Sequence, residues 1–358
     1  MKQVLVMAGG TGGHVFPALA VAEALKKRGV AVTWLGTQNG LEADIVPNAG
    51  FDIDWISVKG LRGNGILGWI LAPFKLLYAA LQAHRVIKKR NPDLVIGMGG
   101  FVTGPGGLMA YLNKKPLLIH EQNAIPGMTN RLLGRMATTV LEAFPGSFEQ
   151  KYHAKAIGNP VRENLTHIDP PAQRLEKHGP RLRLLVIGGS LGAMALNIVL
   201  PKILNKMPDV DSLDVWHQTG KRHFVATQED YEKHHLKARV EPFIDDMAKA
   251  YDWADIVLCR SGALTISELA SVGVGSILVP FPHAVDDHQT KNAEFLVKAD
   301  AAVLLPQNEL SVDTLSEILK KFINDRPRVL KMGQAAFGKR QINSVDQVIN
   351  HCTELANV

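Results

Sequence analysis

The stretch that most constrains what this chain can fold into is VLVMAGGTGGHVFP, from Val4 to Pro17. Its apolar run is too short to cross a membrane and empties into four glycines, a threonine and a histidine, after which a helix-favouring segment runs from Ala18 to Lys27. That order reads as strand, tight loop, helix. Glycine lets the backbone turn sharply and approach a ligand, and a helix start offers unpaired N–H groups with partial positive charge, so the loop suits an anion or a sugar. His14 is its one titratable side chain.

The loop is not a dinucleotide fingerprint. Counted from Gly10, the GxGxxG spacing meets Gly12 and then Val15, and the strand expected over Ala31 to Leu35 ends in WLGTQNG, with no acidic residue placed to hold a ribose. No nicotinamide or flavin cofactor is expected.

The arrangement recurs. GGFVTGPGG follows an expected strand at Leu94 to Met98, EQNAIPG follows one at Leu117 to His120, and LRLLVIGGSLGAMALN, from Leu182 to Asn197, repeats the opening pattern. Glycine loops that follow strands lie on the carboxyl edge of a parallel sheet, where open α/β folds bind ligands. At 358 residues two domains are expected. The fold class predicted is α/β, with two Rossmann-like parallel-sheet domains facing across a cleft. GNPVRENL and the proline-rich HIDPPAQRLEKHGP read as the boundary region. The expected domains are 1–160 and 161–340, with 341–358 a helix packing back on the first.

Further along, Ile256 to Cys259 reads as a strand, Ser261-Gly262 as a turn and Ala263 to Ser271 as a helix. A diphosphate on that helix N-terminus, with Glu268 accepting from ribose hydroxyls, is physically sensible. Asp52 and Asp54 form a DxD that could hold a divalent metal, but two aspartates at i and i+2 on a short strand also simply share its wet face, and that reading is preferred. His283 and His288 flank Asp286 and Asp287, where hydrogen bonding to a sugar is a simpler account than a metal. Cys259 and Cys352 form no ligand pattern and no disulfide framework, which suits a reducing cytoplasm. The opening apolar run also lacks the length of a secretory signal.

The net charge of +6 hints at an acidic partner, and its location matters more than its size. Between Gly60 and Pro92 lie Arg62, Lys75, Arg85, Lys88, Lys89 and Arg90 with no acidic residue, around an apolar series that includes Trp69 and Phe74. Pro73 and Lys75 interrupt the run, so a transmembrane helix is not expected. Two readings stand: a helix buried by its own domain with a solvated basic end, or a surface resting on an anionic membrane.

Together GGTGGHVFPALAVAEAL, GMGGFVTGPGG, HEQNAIPGMTNRLL, GNPVR, IGGSLGA, FIDDMAKAYDWADIVLCRSGALTISEL and DHQTKNA resemble the MurG family of peptidoglycan N-acetylglucosaminyltransferases, in unbroken order over nearly the whole chain. The resemblance implies a GT-B glycosyltransferase that moves N-acetylglucosamine from UDP-N-acetylglucosamine, with inversion, to the 4-hydroxyl of the muramyl-pentapeptide on undecaprenyl diphosphate (lipid I), giving lipid II. It implies a peripheral place on the cytoplasmic face of the membrane, with Trp69, Phe74, Lys75, Arg85, Lys88 and Lys89 against the anionic surface, and no nucleic-acid partner. Carried onto matching positions, Arg162 and Ser190 contact the donor's ribose or diphosphate, and the main chain at Ile244 reads the uracil. Ala263, Leu264 and Thr265 cap the diphosphate, with Ile266 and Ser267 in the same turn, and Glu268 holds the ribose. Gln289 and Asn123 contact the transferred sugar, and His288 stands where some relatives carry glutamine. Thr11, Gly12 and Gly13 border the donor sugar and the acceptor site.

His14 is the candidate base, because imidazole titrates near working pH and sits in the acceptor-side loop. A structural histidine that caps the loop is the equal alternative. A UDP-N-acetylglucosamine 2-epimerase would share architecture and donor but needs no lipid, so the 60–92 segment speaks against it. A non-catalytic nucleotide-sugar-binding protein would leave His14 without a purpose.

Overall fold

The computed structural model describes residues 1–58, 60, 66–189 and 192–356, the side chains of 66–70 excepted. The chain divides into two compact units, Met1–Arg162 with Asn343–Val358, and Glu163–Ile342.

Unit 1 is built on β1 (Gln3–Met7), β2 (Ala31–Gly36), β3 (Asp52–Trp55), β4 (Leu94–Gly97), β5 (Leu117–Glu121), β6 (Thr139–Glu142) and β7 (Lys155–Ala156). These form one parallel sheet in the order β3-β2-β1-β4-β5-β6-β7. Strands such as LVIG and LLIHE are buried end to end, as expected of a parallel sheet covered on both faces. The covering helices are α1 (Gly12–Lys27), α2 (Glu42–Asn48), α3 (Ile66–Arg90), α4 (Thr103–Leu112) and α5 (Met128–Leu133). One core joins Val4, Val6, Trp34 and Ile96 to α1, and a second on the opposite face joins Leu5, Met7 and Val95 to Ala83 and Ile87 of α3.

Unit 2 repeats the plan with β8 (Leu182–Ile187), β9 (Leu213–Gln218), β10 (Arg239–Glu241), β11 (Ile256–Cys259), β12 (Gly275–Leu278) and β13 (Ala302–Leu304), parallel in the order β10-β9-β8-β11-β12-β13. Its helices are α6 (Pro171–Glu176), α7 (Met194–Lys206), α8 (Phe224–Lys233), α9 (Met247–Trp253), α10 (Ala263–Val272), α11 (His288–Val297), α12 (Val312–Asn324) and α13 (Arg326–Gly338). The last helix, α14 (Ser344–Ala356), belongs to unit 1. Its Val348, Ile349 and Cys352 enter the core beside α1, and Asp346 pairs with Arg28 at 2.7 Å.

One detail differs from the sequence reading. α1 begins at Gly12 rather than Ala18, so Gly12, Gly13 and His14 form its first turn, with the His14 and Val15 amides bonding to the Thr11 carbonyl. First-turn residues lack an i−4 partner in any case, which makes glycine tolerable there. The division falls after Arg162, inside GNPVRENL, and the proline-rich segment beyond folds as part of unit 2. Pro171 opens α6, where its fixed φ suits the first helical turn, and the buried Arg174 of that helix donates to the carbonyls of Val272 and Gly273, both at 2.8 Å.

Candidate functional site

In unit 1 the loop after β1 is held by a carboxylate. The buried Glu42 accepts from the Gly10 amide at 2.8 Å through one oxygen, and from the Thr37 amide and hydroxyl at 2.9 and 2.8 Å through the other. A Cβ on Gly9 would lie 2.5 Å from Glu42, and one on Gly100 would collide with the Gly9 carbonyl. Close packing of two loops therefore demands these glycines, independently of any phosphate. The half-buried His14 follows, its Nδ1 2.9 Å from Gln122 Oε1. Thr11, Gly12 and Gly13 lie at the N-terminal turn of α1 beside it, and the Arg162 guanidinium lies 5.9 Å from the centre of the Phe16 ring.

The loop after β5 is organised by a second buried carboxylate. Glu121 accepts from the Asn123 amide (2.9 Å) and side chain (3.1 Å), the Gly127 amide (3.1 Å) and the Asn130 side chain (2.9 Å). Asn123 is thereby presented half-buried at the same sheet edge as His14.

In unit 2, α10 starts at Ala263, shortly after β11, and its N-cap is Gly262, which has no side chain to cap with. The first-turn amides of Ala263, Leu264 and Thr265 precede the first i−4 hydrogen bond, from Ile266 to the Gly262 carbonyl at 3.0 Å. The Ser267 hydroxyl donates back to the Ala263 carbonyl at 3.1 Å. Glu268, one and a half turns in, is buried and accepts from the Tyr251 hydroxyl at 2.9 Å. Burial and the neighbouring Glu268 carboxylate both push the Cys259 thiol far above its ordinary range, so it stays an inert core group.

Ile244 is buried, and its amide donates to Gln218 Oε1 at 3.0 Å while Gln218 Nε2 donates to the Gly189 carbonyl. Gln218 thus braces the glycine loop after β8 against the 241–246 segment. Gln289 accepts from the Phe281 amide at 2.9 Å, and His288 Nδ1 bonds to the Val285 carbonyl at 2.7 Å, so both residues hold the turn that opens α11. Ser190 lies outside the described residues, as do Arg62 and the side chain of Trp69.

Asp52 and Asp54 pair with basic side chains at the end of α3, Asp54 largely covered and Asp52 on the wet face. Arg90 Nε donates to Asp54 at 2.6 Å, Lys89 approaches it at 3.3 Å, and Arg90 reaches Asp52 at 3.4 Å. The pair anchors the end of α3 to β3. Among the described residues no group of three or more His, Cys, Asp or Glu side chains gathers as a metal site would need.

Between residues 71 and 83 α3 is oriented against the usual rule, while its later Val86 and Ile87 are buried. Ala72, Ala79, Ala80 and Ala83 face inward, while Leu71, Phe74 (70% exposed), Leu77 (60%), Tyr78 and Leu81 face out. Leu108, Tyr111 and Leu112 of α4 and Met128 and Leu132 of α5 are exposed as well, and both helices belong to one packed series with α3. Lys75, Arg85 and Lys88 are exposed on α3. Among the described residues no helix is long and apolar enough to cross a membrane.

The profile of the glycosyltransferase family 28 N-terminal domain matches residues 4–142, and that of the family 28 C-terminal domain matches residues 183–349. The chain belongs to glycosyltransferase family 28. It is 52% identical to a relative in Marinobacter nauticus, over 99% of this chain and 98% of that one, and 50% identical to one in Nitrosococcus oceani, over 99% of each. Both bear the name UDP-N-acetylglucosamine--N-acetylmuramyl-(pentapeptide) pyrophosphoryl-undecaprenol N-acetylglucosamine transferase. Among solved structures, MurG of Acinetobacter baumannii superposes with a TM-score of 0.84 at 41% identity, covering 99% of this chain and 100% of that one. This family 28 member is thus of the MurG kind, with the GT-B fold. A UDP-N-acetylglucosamine 2-epimerase superposes at 0.64 with 13% identity over 97% of this chain and 94% of that one, which is likeness of fold alone.

Around the candidate residues stand supports that sequence reasoning passed over: Glu42, His120, Glu121, Gln122, Gln218 and Tyr251. Glu121 and Gln122 sit inside the EQNAIPG loop and could have been weighed there. Tyr251 stands 17 positions before Glu268, and nothing in spacing links them.

Proposed function

We propose that this chain transfers N-acetylglucosamine from UDP-N-acetylglucosamine to the 4-hydroxyl of the lipid-linked muramyl-pentapeptide, forming lipid II. The observation that carries the reading is identity of 52% and 50%, over nearly the whole chain, with transferases whose name states that reaction. The presence of an imidazole at the α1 N-terminus supports it, since an inverting displacement needs a base on the acceptor side.

In this reading unit 1 takes the acceptor and unit 2 the donor. The acceptor oxygen attacks the anomeric carbon while its proton passes to His14 Nε2. The bond from that carbon to the diphosphate oxygen breaks, and its electron pair leaves with UDP. Negative charge then grows on the diphosphate, where the first-turn amides of Ala263, Leu264 and Thr265 and the Arg162 guanidinium stabilise it. Ser190 joins them by family pattern. Glu268 accepts from the ribose hydroxyls, the main chain at Ile244 reads the uracil, and Asn123 and Gln289 hold the sugar, with His288 beside them. Thr11, Gly12 and Gly13 border the acceptor. The outward apolar face of α3 to α5, with Lys75, Arg85 and Lys88, rests on the anionic cytoplasmic membrane surface, where the acceptor is anchored.

One assay tests the activity. Incubation with UDP-N-acetylglucosamine should release UDP only when a lipid I analogue is present. Release or epimer formation without acceptor would instead favour an epimerase, and neither would leave a binding protein. His14→Ala should cost roughly 10²-fold or more in turnover; a near-normal rate in a folded variant would remove His14 as the base.

A further inference from the structure

Behind His14 runs a chain of hydrogen bonds whose direction can be read. His120 Nε2 lies 2.9 Å from the Gly158 carbonyl, His120 Nδ1 lies 3.1 Å from Gln122 Nε2, and Gln122 Oε1 lies 2.9 Å from His14 Nδ1. Two carbonyl oxygens, which only accept, fix both inner members. Gly158 requires a proton on His120 Nε2, which leaves Nδ1 of that neutral ring as an acceptor. The His120 carbonyl, 3.2 Å from Gln122 Nε2, requires the amide nitrogen on that side, so the amide oxygen faces His14. His14 Nδ1 must then be a donor, and its neutral ring keeps the lone pair on Nε2.

The surroundings hold this order in place. His120 and Gln122 are buried, and burial lowers the His120 pKa to about 4, so its ring stays neutral and does not reverse the chain. Asn159 Nδ2 donates to the Gln122 carbonyl at 3.1 Å and pins its backbone. Gly99, at φ +99, leaves the lane open, since a Cβ there would lie 2.5 Å from His14 Nδ1. A carboxylate behind a histidine both orients it and stabilises its imidazolium; Gln122 supplies the orientation without the charge.

We propose that Gln122 and His120 are positioning residues that fix His14 as the Nδ1–H tautomer, with Nε2 as the proton acceptor toward substrate. In water the opposite tautomer predominates, so the relay selects a state the free side chain disfavours. The proposal rests on the reading of His14 as the base, and its test separates the two.

Nitrogen-15 NMR of the full-length, histidine-labelled protein, with His14 signals found by difference against His14→Ala, should show Nδ1 protonated and Nε2 bare near neutral pH. In Gln122→Leu the His14 signals should move to the Nε2–H or averaged pattern. With that change kcat should fall about ten- to hundred-fold while KM for UDP-N-acetylglucosamine stays within about twofold. Gln122→Glu should keep the tautomer and move the acid limb of the kcat–pH profile upward by about one unit, because a carboxylate favours the imidazolium. A proton on His14 Nε2 in the unaltered protein, or an unchanged tautomer in Gln122→Leu, would overturn the relay. If Gln122→Leu does not fold, the unaltered protein and Gln122→Glu decide. A fully active His14→Ala would remove the base while the tautomer measurement still judged the relay.

Discussion

The hydroxyl of Tyr251, on α9, donates to Glu268 Oε2, on α10, across 2.9 Å in a site where both residues are buried. The bond fixes one carboxylate oxygen of Glu268 and thereby its rotamer. If Glu268 holds the ribose, Tyr251 acts on donor affinity rather than on chemistry. Tyr251→Phe should raise KM for UDP-N-acetylglucosamine about three- to tenfold, equivalent to roughly 1 kcal/mol, with kcat changed by less than about twofold. Steady-state kinetics with a lipid I analogue would show it, and an unchanged KM would mean that Glu268 needs no such support.

Arg174 predicts a purely structural effect. Its guanidinium is buried among the carbonyls of Val272, Gly273 and Asp169, at the C-terminal end of α10 where helix carbonyls lack partners. Arg174→Met keeps most of the volume but leaves those acceptors unpaired, and should destabilise unit 2 by about 2–4 kcal/mol. Urea unfolding would report a lower midpoint. An unshifted midpoint would show that water replaces the arginine without penalty.

His217 predicts a pH effect with a definite sign. The ring is buried between the Tyr231 hydroxyl and Asn197 Oδ1, each at 3.0 Å, and burial lowers its pKa from 6.5 to about 3. Above about pH 7 neither the folded nor the unfolded chain carries that proton. As pH falls below 6.5 the unfolded chain takes it and the folded chain does not, so stability drops until the folded ring titrates near 3. Between pH 7.5 and pH 5 this group alone should remove about 2 kcal/mol. His217→Gln should lose correspondingly less over that interval in parallel denaturation series, and equal losses in the two proteins would contradict the account.

The fold was legible because its signals are local. Apolar runs ending in glycine, as at Val4 to Gly13 and Leu182 to Gly192, specify strand and turn whatever the rest of the chain does, and their repetition gave both parallel sheets. The helix start at Gly12 was hidden because first-turn residues need no helical propensity. HIDPPAQRLEKHGP reads as boundary because its composition is polar, whereas it is tied into unit 2 by long-range contacts that composition does not show, from Arg174 to the end of α10 and from His178 to Asp255. The candidate site divides the same way. Residues inside motifs, such as His14 and Glu268, were visible, while their partners were visible only when another motif happened to contain them.

The outward face of α3 carries the last prediction. A soluble helix ordinarily turns its large apolar side chains inward, yet between residues 71 and 83 of α3 the buried side chains are alanines, and Phe74, Leu77 and Tyr78 face out. Charge reversal is informative only at cations that the fold does not use. Lys89 and Arg90 are held by Asp54, so reversing them would disturb the anchor of α3 as well as the surface. Lys75, Arg85 and Lys88 are exposed, and each is worth about 1 kcal/mol near an anionic bilayer. The triple change to glutamate should therefore lower sedimentation with anionic vesicles by well over tenfold, while the far-ultraviolet circular dichroism stays the same. Phe74→Ser with Leu77→Ser should weaken binding further through lost apolar insertion, in a way that added salt does not mimic. Undiminished sedimentation of both variants would place the membrane contact elsewhere on the molecule.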